Sequence, residues 1–450
     1  MMFKQKTKIL LLMPTLLIAL TRGQTFGQSV LVHEWSNLEF EWPSQADKEE
    51  SIKNNTYVPE RNLLAGIKVY KGEVYVTIPR WFWPNGHPAT LAKIVTVNNR
   101  TLLRPYPNWA AQKQGNCESI QFSQSMEIDS NKGHMYVIDT GRVGNTLNLC
   151  PAKIIVYDLN TDNELNRYIM PADVVNRTTN YLNDIVLDYV NGSVRYAYVT
   201  EANEGSLLVY DFQTRHGYKL EDQSMKAEEG NASIITINGT DYSFPFPMNG
   251  IAMSPDFKYV YYSAVAAFGL YQVPTATLRK GTDKTGIRRV GTRVSQTGGL
   301  THGSKRLYYG ASALNALYYW DIEQDVAEQK LPLDQVIMKT QLQLVKDDVK
   351  MQWPDTFGFD QEGWLWFVSN RLPDFNRTVG MIDDGNPYIR VWKVFVNETG
   401  YLYQGDIRTQ EKNGGCKPMI LQVAGLPVLL LSALVSSLLV VYASMTIFDV

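Results

Sequence analysis

The stretch Gly363-Trp364-Leu365-Trp366-Phe367-Val368-Ser369-Asn370-Arg371-Leu372 alternates large residues behind a glycine, which is typical of a β-strand entered from a tight turn. The pattern recurs five times upstream, with its central aromatic residues 47 to 63 positions apart. These aromatic residues are Tyr75, Tyr136, Tyr198, Tyr261, Tyr308 and Trp366. Six similar units with almost no helical periodicity predict an all-β fold, a six-bladed β-propeller. A row of β-sandwiches is the alternative, but units of about 58 residues are short for domains of roughly 100 residues.

The aromatic residues ahead of the first unit bear on how the ring closes. Trp35, Phe40 and Trp42 precede that unit, and we expect them to lie in a strand that completes the last blade. Joining both chain ends in one blade removes the sheet edges that otherwise pair with other chains. The propeller is therefore predicted to span residues 29–410 as one domain.

The N-terminus has the pattern of a secretory signal peptide over residues 1–28. Lysines precede an apolar run from Ile9 to Leu20, and small and polar residues follow. An uncleaved anchor is the alternative, although twelve apolar residues fall short of the roughly 20 that span a bilayer. Eight glycosylation sequons accord with secretion. They lie at Asn54, Asn99, Asn176, Asn191, Asn231, Asn238, Asn376 and Asn397.

The C-terminal residues 426–448 form an apolar tail without a charged residue. Small residues around Asn413 and a spacer within residues 411–425 precede it, which is the pattern of a glycosylphosphatidylinositol attachment signal, with Asn413 as the attachment site. A transmembrane helix is the alternative. In both cases we expect an extracellular protein tethered to the cell surface.

The three cysteines favour the lipid anchor. Cleavage near Asn413 removes Cys416 and leaves Cys117 and Cys150 to form a disulfide that pins one blade. The transmembrane alternative requires an acylated Cys416 beside the membrane.

Composition and motifs exclude several functional classes. The net charge is −2 and no basic stripe is present, so nucleic acid is not expected as a partner. The common hydrolase, phosphate-loop and zinc signatures are absent. The five histidines lie far apart, so neither a metal site nor a cofactor is predicted.

A ligand site is expected where the inner strands of a propeller meet at the mouth of the channel. Polar residues enter the first strand of several units, namely Asn183, Asp184, Asn249, Asp355 and Thr356. Others follow the aromatic strand, among them Arg80, Asp139, Glu201, Asn203, Asn370 and Arg371. With Trp81, Phe82, Phe268 and Trp353 nearby, these groups predict a pocket for a small aromatic ligand that forms hydrogen bonds. The alternative is that they only satisfy backbone groups in turns.

Several ordered segments carry a resemblance to a known family. They are Pro79-Arg80-Trp81, Gly86 to Leu91, Asp139-Thr140-Gly141 with Asn183-Asp184, Gly250 to Asp256, Tyr271 to Thr275, Gln352 to Thr356, and Trp366 to Leu372. Over roughly residues 30–405 the chain resembles the yellow and major royal jelly protein family. The resemblance implies a secreted six-bladed propeller linked to cuticle pigmentation and melanin formation.

The resemblance also implies ligands. Some members look like enzymes that isomerise dopachrome, and salivary members bind biogenic amines through Thr, Asn and an aromatic residue in the channel. Thr356 and Asn370 match that pattern, whereas Leu372 stands where an aromatic residue is expected. Members commonly carry four cysteines, and an anchoring tail is not general in the family.

Three functional hypotheses follow. The first is a pigmentation protein that binds catechol or indole intermediates in its channel. The second is a dopachrome tautomerase, in which Asp184, Asp355 or Glu201 removes a proton and Arg80 or Arg371 polarises the quinone oxygen. The third is an amine-binding protein, in which a carboxylate such as Asp355 pairs with the ammonium group and aromatic faces hold the ring.

Overall fold

A computed structural model describes residues 24–403, except 145–146, 379–381 and 383–384. Within these ranges the chain forms six four-stranded antiparallel sheets. The first strand of each sheet contacts the first strands of both neighbouring sheets, so the sheets close into a ring around a channel. The predicted six-bladed β-propeller is confirmed.

The blades follow one another along the chain, and each builds outward from the channel. The described chain enters through β1 (Ser29–Trp35), which belongs to the last blade. Blade 1 contains β2 (Ile67–Tyr70), β3 (Glu73–Thr77), β4 (Leu91–Val97) and β5 (Arg100–Pro105). Blade 2 contains β6 (Met126–Asp129), β7 (His134–Asp139), β10 (Lys153–Asp158) and β11 (Asn163–Ile169), with a hairpin of β8 (Arg142–Val143) and β9 (Leu147–Asn148) inserted after β7. Blade 3 contains β12 (Leu182–Val190), β13 (Ser193–Glu201), β14 (Ser206–Asp211) and β15 (His216–Leu220).

The second half repeats this plan after an inserted hairpin. That hairpin consists of β16 (Ile234–Ile237) and β17 (Thr240–Ser243). Blade 4 contains β18 (Met248–Met253), β19 (Tyr259–Ala264), β20 (Gly269–Pro274) and β21 (Arg288–Thr292). Blade 5 contains β22 (Leu300–His302), β23 (Arg306–Ala311), β24 (Ala316–Asp321) and β25 (Gln341–Lys346). Blade 6 contains β26 (Pro354–Phe359), β27 (Trp364–Ser369), β28 (Ile389–Phe395) and, outermost, β1.

The helices are short and lie in the connections. They are α1 (Gln45–Lys53), α2 (Thr275–Leu278), α3 (Ile322–Gln329) and α4 (Leu372–Arg377). Single 3₁₀ turns occur at Pro59–Arg61, Ala110–Gln112, Gln223–Met225, Gly230–Ser233 and Ser312–Leu314. Over the described ranges, no helix has both the length and the apolar character needed to cross a membrane.

The six repeated aromatic residues occupy equivalent positions, because each lies in the second strand of its blade and is buried. Burial of a phenol or indole requires a partner for its polar hydrogen. The Tyr198 hydroxyl donates to Asp188 Oδ2 at 2.6 Å, and Trp366 Nε1 donates to Asp360 Oδ2 at 2.7 Å. Tyr198 shares a buried cluster with residues of blade 4, and Trp366 shares one with residues of blade 1, so the repeat reflects packing between blades.

The ring closes as an antiparallel pair between β1 and β28, in which Ser29 opposes Val394 and Trp35 opposes Ile389. The prediction of a closing strand was right for Trp35 and wrong for Phe40 and Trp42. Phe40 bridges Leu103 of blade 1, and Trp42 stacks on Trp109 at 4.7 Å. Both aromatic residues fill the outer edge of blade 1, because the chain has already left the last blade.

The predicted disulfide between Cys117 and Cys150 is present, with the two Cα atoms 5.3 Å apart. It ties the segment before β6 to the segment before β10, so it braces blade 2. The lipid attachment site at Asn413, the 411–425 spacer, the 426–448 tail and most of the 1–28 signal peptide lie outside the described residues.

Candidate functional site

A cavity of about 350 Å³ lies at the end of the channel where the inner strands begin. Every blade contributes to its wall, together with the two inserted hairpins and α4. Its volume falls in the usual range for small-molecule sites.

Six aromatic side chains dominate this wall. They are Trp81, Phe82, Tyr181, Phe244, Phe246 and Trp353. The rings of Phe244 and Trp353 lie 4.8 Å apart. Trp81 Nε1 and the Tyr181 hydroxyl both donate to Gln124 Oε1, at 2.9 and 3.2 Å. Since the polar atoms of Trp81 and Tyr181 are held in place, these two rings present fixed faces to a ligand.

Asp355 lies at the start of β26 and is the only carboxylate among the described residues that line the cavity. It is 7% exposed. Gly298 leaves room for it, because a Cβ atom at that position would lie 2.7 Å from Asp355 Oδ1. Burial, together with the negative charge of Asp184, raises the pKa of Asp355 to about 7. The carboxyl group therefore changes charge near neutral pH.

Asn183 and Asn249 form a polar ledge in the same wall. Asn183 Nδ2 donates to Asn249 Oδ1 at 2.7 Å, and the Thr200 hydroxyl donates to the Asn249 carbonyl at 2.8 Å. These bonds join β12 to β18 and fix both amides at the cavity. The ledge can exchange hydrogen bonds with a ligand.

Arg142 enters the cavity from β8, the first strand of the small hairpin in blade 2. Its guanidinium lies over the Tyr181 ring, with 5.7 Å from Cζ to the ring centroid. Burial lowers its pKa from the ordinary arginine value. The cavity thus combines one cation and one anion with a largely aromatic wall.

Below the cavity the channel narrows to a passage lined by Asp184, Thr356 and an ion pair. Lys68 Nζ and Glu127 Oε2 form that pair at 3.1 Å. Burial raises the pKa of Asp184 to about 6, although the charge of Lys68 opposes the shift. Tyr401 closes the passage beneath: its hydroxyl accepts a hydrogen bond from the Leu187 N–H at 2.8 Å.

The structure brings together four of the predicted site residues in the cavity, namely Asn183, Asn203, Asn249 and Asp355. Asp184 and Thr356 lie one step deeper, and Thr356 Oγ1 donates to the Ala65 carbonyl. Of the predicted aromatic neighbours, Trp81, Phe82 and Trp353 line the cavity, as does Leu372, whereas Phe268 does not.

Four other predicted residues lie outside the cavity wall and have structural partners, as does Glu201, which accepts hydrogen bonds from the Tyr181 and Glu204 amides. Arg80 is buried and donates to the carbonyls of Gln112 and Gln121. Asp139 accepts hydrogen bonds from backbone amides and forms a buried ion pair with Lys153 at 2.9 Å. Asn370 Nδ2 donates to the Leu64 carbonyl, and Arg371 Nε donates to Asp374 Oδ2. The ligand and catalytic roles considered for these four residues find no support in the cavity geometry.

Sequence reasoning missed Arg142, Gln124, Tyr181, Phe244 and Phe246 as cavity residues. A signal for part of this set exists in the repeat. Tyr181 stands two residues before Asn183, and Trp353 stands two residues before Asp355. An aromatic residue two positions ahead of a polar inner-strand residue therefore faces the same cavity. Arg142 has no such signal, since it lies on an insertion.

The structure also shows where the predicted glycosylation sites lie. Seven sequon asparagines are exposed, whereas Asn376 is partly buried and lines the cavity. Among the described residues, no group of three or more His, Cys, Asp or Glu side chains is arranged to hold a metal ion.

Comparison with known proteins places this propeller in a family. The sequence pattern described as Major royal jelly protein matches residues 123–394, more than half of the chain. The chain belongs to the major royal jelly protein family. Among curated relatives of the chain, protein yellow of Drosophila erecta is 26% identical over 363 residues. The match covers 76% of this chain and 64% of protein yellow. This chain thus spans less than two thirds of that relative.

A second relative of this major royal jelly protein chain matches over more of its length. Dopaminechrome tautomerase of Drosophila melanogaster is 25% identical over 393 residues, which cover 83% of each chain. Among solved structures, a luciferin-regenerating enzyme aligns over 77% of this chain and 96% of its own, at 11% identity and a TM-score of 0.43.

Proposed function

We propose that this protein is a secreted member of its family that binds small catechol or indole compounds in the aromatic cavity and acts in pigment formation. The observation that carries the proposal is Asp355, the one carboxylate that the described residues supply to the wall, set among six aromatic side chains in a cavity of about 350 Å³. The family membership supports the pigmentation role, and the N-terminal sequence supports secretion.

The chemistry of the wall favours a ligand that carries an aromatic ring and a cationic amine. Aromatic faces attract both the ring and the positive charge of such a ligand. Asp355 supplies the counter-charge, and the Asn183–Asn249 ledge supplies partners for phenol hydroxyl groups. Because Tyr401 closes the passage beneath, a ligand enters from the aromatic end.

Calorimetry with serotonin tests this proposal on the purified propeller at pH 8. We expect saturable binding, and at least about a tenfold loss of affinity in Asp355→Asn, since a buried charge pair is removed. Asp173→Asn is the matched control, because Asp173 is exposed on the loop between β11 and β12. Failure of serotonin, dopamine and their neutral acetylated forms to bind would refute the proposal.

Tautomerisation of an aminochrome is the second candidate, and the pKa of Asp355 near 7 favours it. A general base of that pKa is partly ionised at neutral pH. In the proposed step the carboxylate removes a proton from a carbon of the non-aromatic ring. The electron pair moves through the ring system to a quinone oxygen, which takes up a proton, so a catechol isomer forms without an oxidant. The similarity to a dopaminechrome tautomerase supports this candidate.

The decay of dopaminechrome, followed by its visible absorbance, separates this second candidate from binding alone. An enzyme accelerates the decay above the spontaneous rate, and Asp355→Asn reduces the acceleration by about 100-fold or more. Asp184→Asn tests the deeper carboxylate in the same assay. Binding of serotonin without acceleration leaves the binding function and removes the tautomerase.

A further inference from the structure

Arg142 is the only cationic side chain among the described residues that line the cavity. It is 8% exposed, so most of its guanidinium has been removed from bulk water. Its own backbone is fixed, because the Arg142 N–H donates to the Thr140 hydroxyl at 3.2 Å. The position of the side chain therefore follows from the hairpin and not from an ion pair.

The guanidinium has no acceptor within the described part of the protein. Arg142 Nε is buried without a hydrogen-bond partner, and no described carboxylate forms a salt bridge with it. The Tyr181 ring covers one face but accepts none of the N–H groups in its plane. Glu201 is the described carboxylate whose charge acts on Arg142, yet it is occupied by the backbone amides of Tyr181 and Glu204.

A buried guanidinium N–H without an acceptor, here that of Nε, has lost its hydration without gaining a hydrogen bond in return. A ligand anion that reaches it restores the missing hydrogen bonds, and a planar carboxylate matches the paired N–H groups of arginine. Asp355 lies in the same cavity, and the charges of Arg142 and Asp355 both act on the Tyr181 hydroxyl.

We propose that Arg142 binds a carboxylate of the ligand, so that the cavity prefers aromatic α-amino acids, and ring forms derived from them, over the decarboxylated amines. This inference rests on the proposed function, because it assigns the other parts of the ligand to the groups already described. The ring packs on the aromatic wall beside Tyr181, and the carboxylate pairs with Arg142. Arg142 is thus a residue that determines specificity.

Three ligands that share one ring test the inference: 5-hydroxytryptophan, its methyl ester and serotonin. The ester removes the negative charge, and in titrations at about pH 6 its amine stays protonated like that of the acid. With wild-type protein at constant chloride, we expect 5-hydroxytryptophan to bind at least about tenfold more tightly than the ester, as for a charge-assisted hydrogen-bonded pair. Arg142→Leu should abolish that preference. Arg100→Leu, on the outer strand of blade 1, should retain it.

The outcomes separate this inference from the proposed function. Equal binding of the acid and the ester to wild-type protein overturns the role of Arg142, as it would if the guanidinium held only an inorganic anion. A preference that survives in Arg142→Leu overturns it as well. If serotonin, dopamine and their acetylated forms also fail to bind, the proposed function falls together with the inference. The acid and ester comparison on wild-type protein needs no variant, so it decides the question even if Arg142→Leu fails to fold.

Discussion

Replacing Asp355 with asparagine should stabilise the protein, and more so at high pH. Burial and Asp184 raise the pKa of Asp355 from 3.8 to about 7, so folding favours the protonated carboxyl group. The folded state keeps its full stability below about pH 4. It loses stability as the pH rises toward 7, because in this range the unfolded chain releases the Asp355 proton while the folded protein retains it.

The size of the effect follows from the shift. Each pKa unit corresponds to about 1.4 kcal/mol, so full ionisation lowers the free energy of unfolding by up to about 4 kcal/mol. About 3 kcal/mol of that loss falls between pH 5 and pH 8.5. The asparagine side chain cannot ionise, so the Asp355→Asn variant should not show this loss of stability. For a domain of roughly 380 residues this corresponds to about 4 °C in melting temperature.

Scanning calorimetry at pH 5 and pH 8.5 measures the effect as a difference between variants. The melting temperature of Asp355→Asn minus that of wild type should rise by about 4 °C between the two pH values, whereas Asp173→Asn should show no such rise. A difference that stays constant with pH would show that the carboxylate is not destabilised by its surroundings. The assignment of Asp355 as a charge held for a ligand would then lose its physical basis.

Three further predictions concern the ligand, the disulfide and the passage. Serotonin affinity should rise about 30-fold from pH 5.5 to pH 8 as Asp355 ionises while the amine stays cationic, and calorimetric titrations should show a flat profile in Asp355→Asn. Replacing Cys117 and Cys150 with serine opens a link across 33 residues and should lower the free energy of unfolding by about 3–4 kcal/mol in denaturant titrations. Tyr401→Phe leaves the Leu187 N–H without its acceptor and should cost about 1–3 kcal/mol in the same titrations, with serotonin affinity unchanged.

The sequence predicts the scaffold well because the scaffold repeats. Tyr75, Tyr198 and Trp366 recur since each blade must pack a large side chain against its neighbour, and that requirement is visible as periodicity. The inner-strand entries Asn183, Asn249 and Asp355 were found for the same reason, and all three line the cavity. Arg80 and Asn370 also follow the repeat, but their side chains turn to backbone carbonyls, a choice that periodicity does not encode.

Another part of the cavity comes from insertions, which no repeat predicts. Arg142 lies on the hairpin after β7, Phe244 and Phe246 follow β17, and Leu372 begins α4. These insertions are also joined to one another, since the Tyr242 hydroxyl donates to Asp374 Oδ1 at 2.6 Å and so connects the β17 strand to α4. The blades supply the carboxylate and the two amides of the ledge, whereas the insertions add Arg142 and part of the aromatic wall. Relatives that share the blades but differ in these three segments should therefore differ in ligand, and exchanging the residue at position 142 is the smallest change that tests this division.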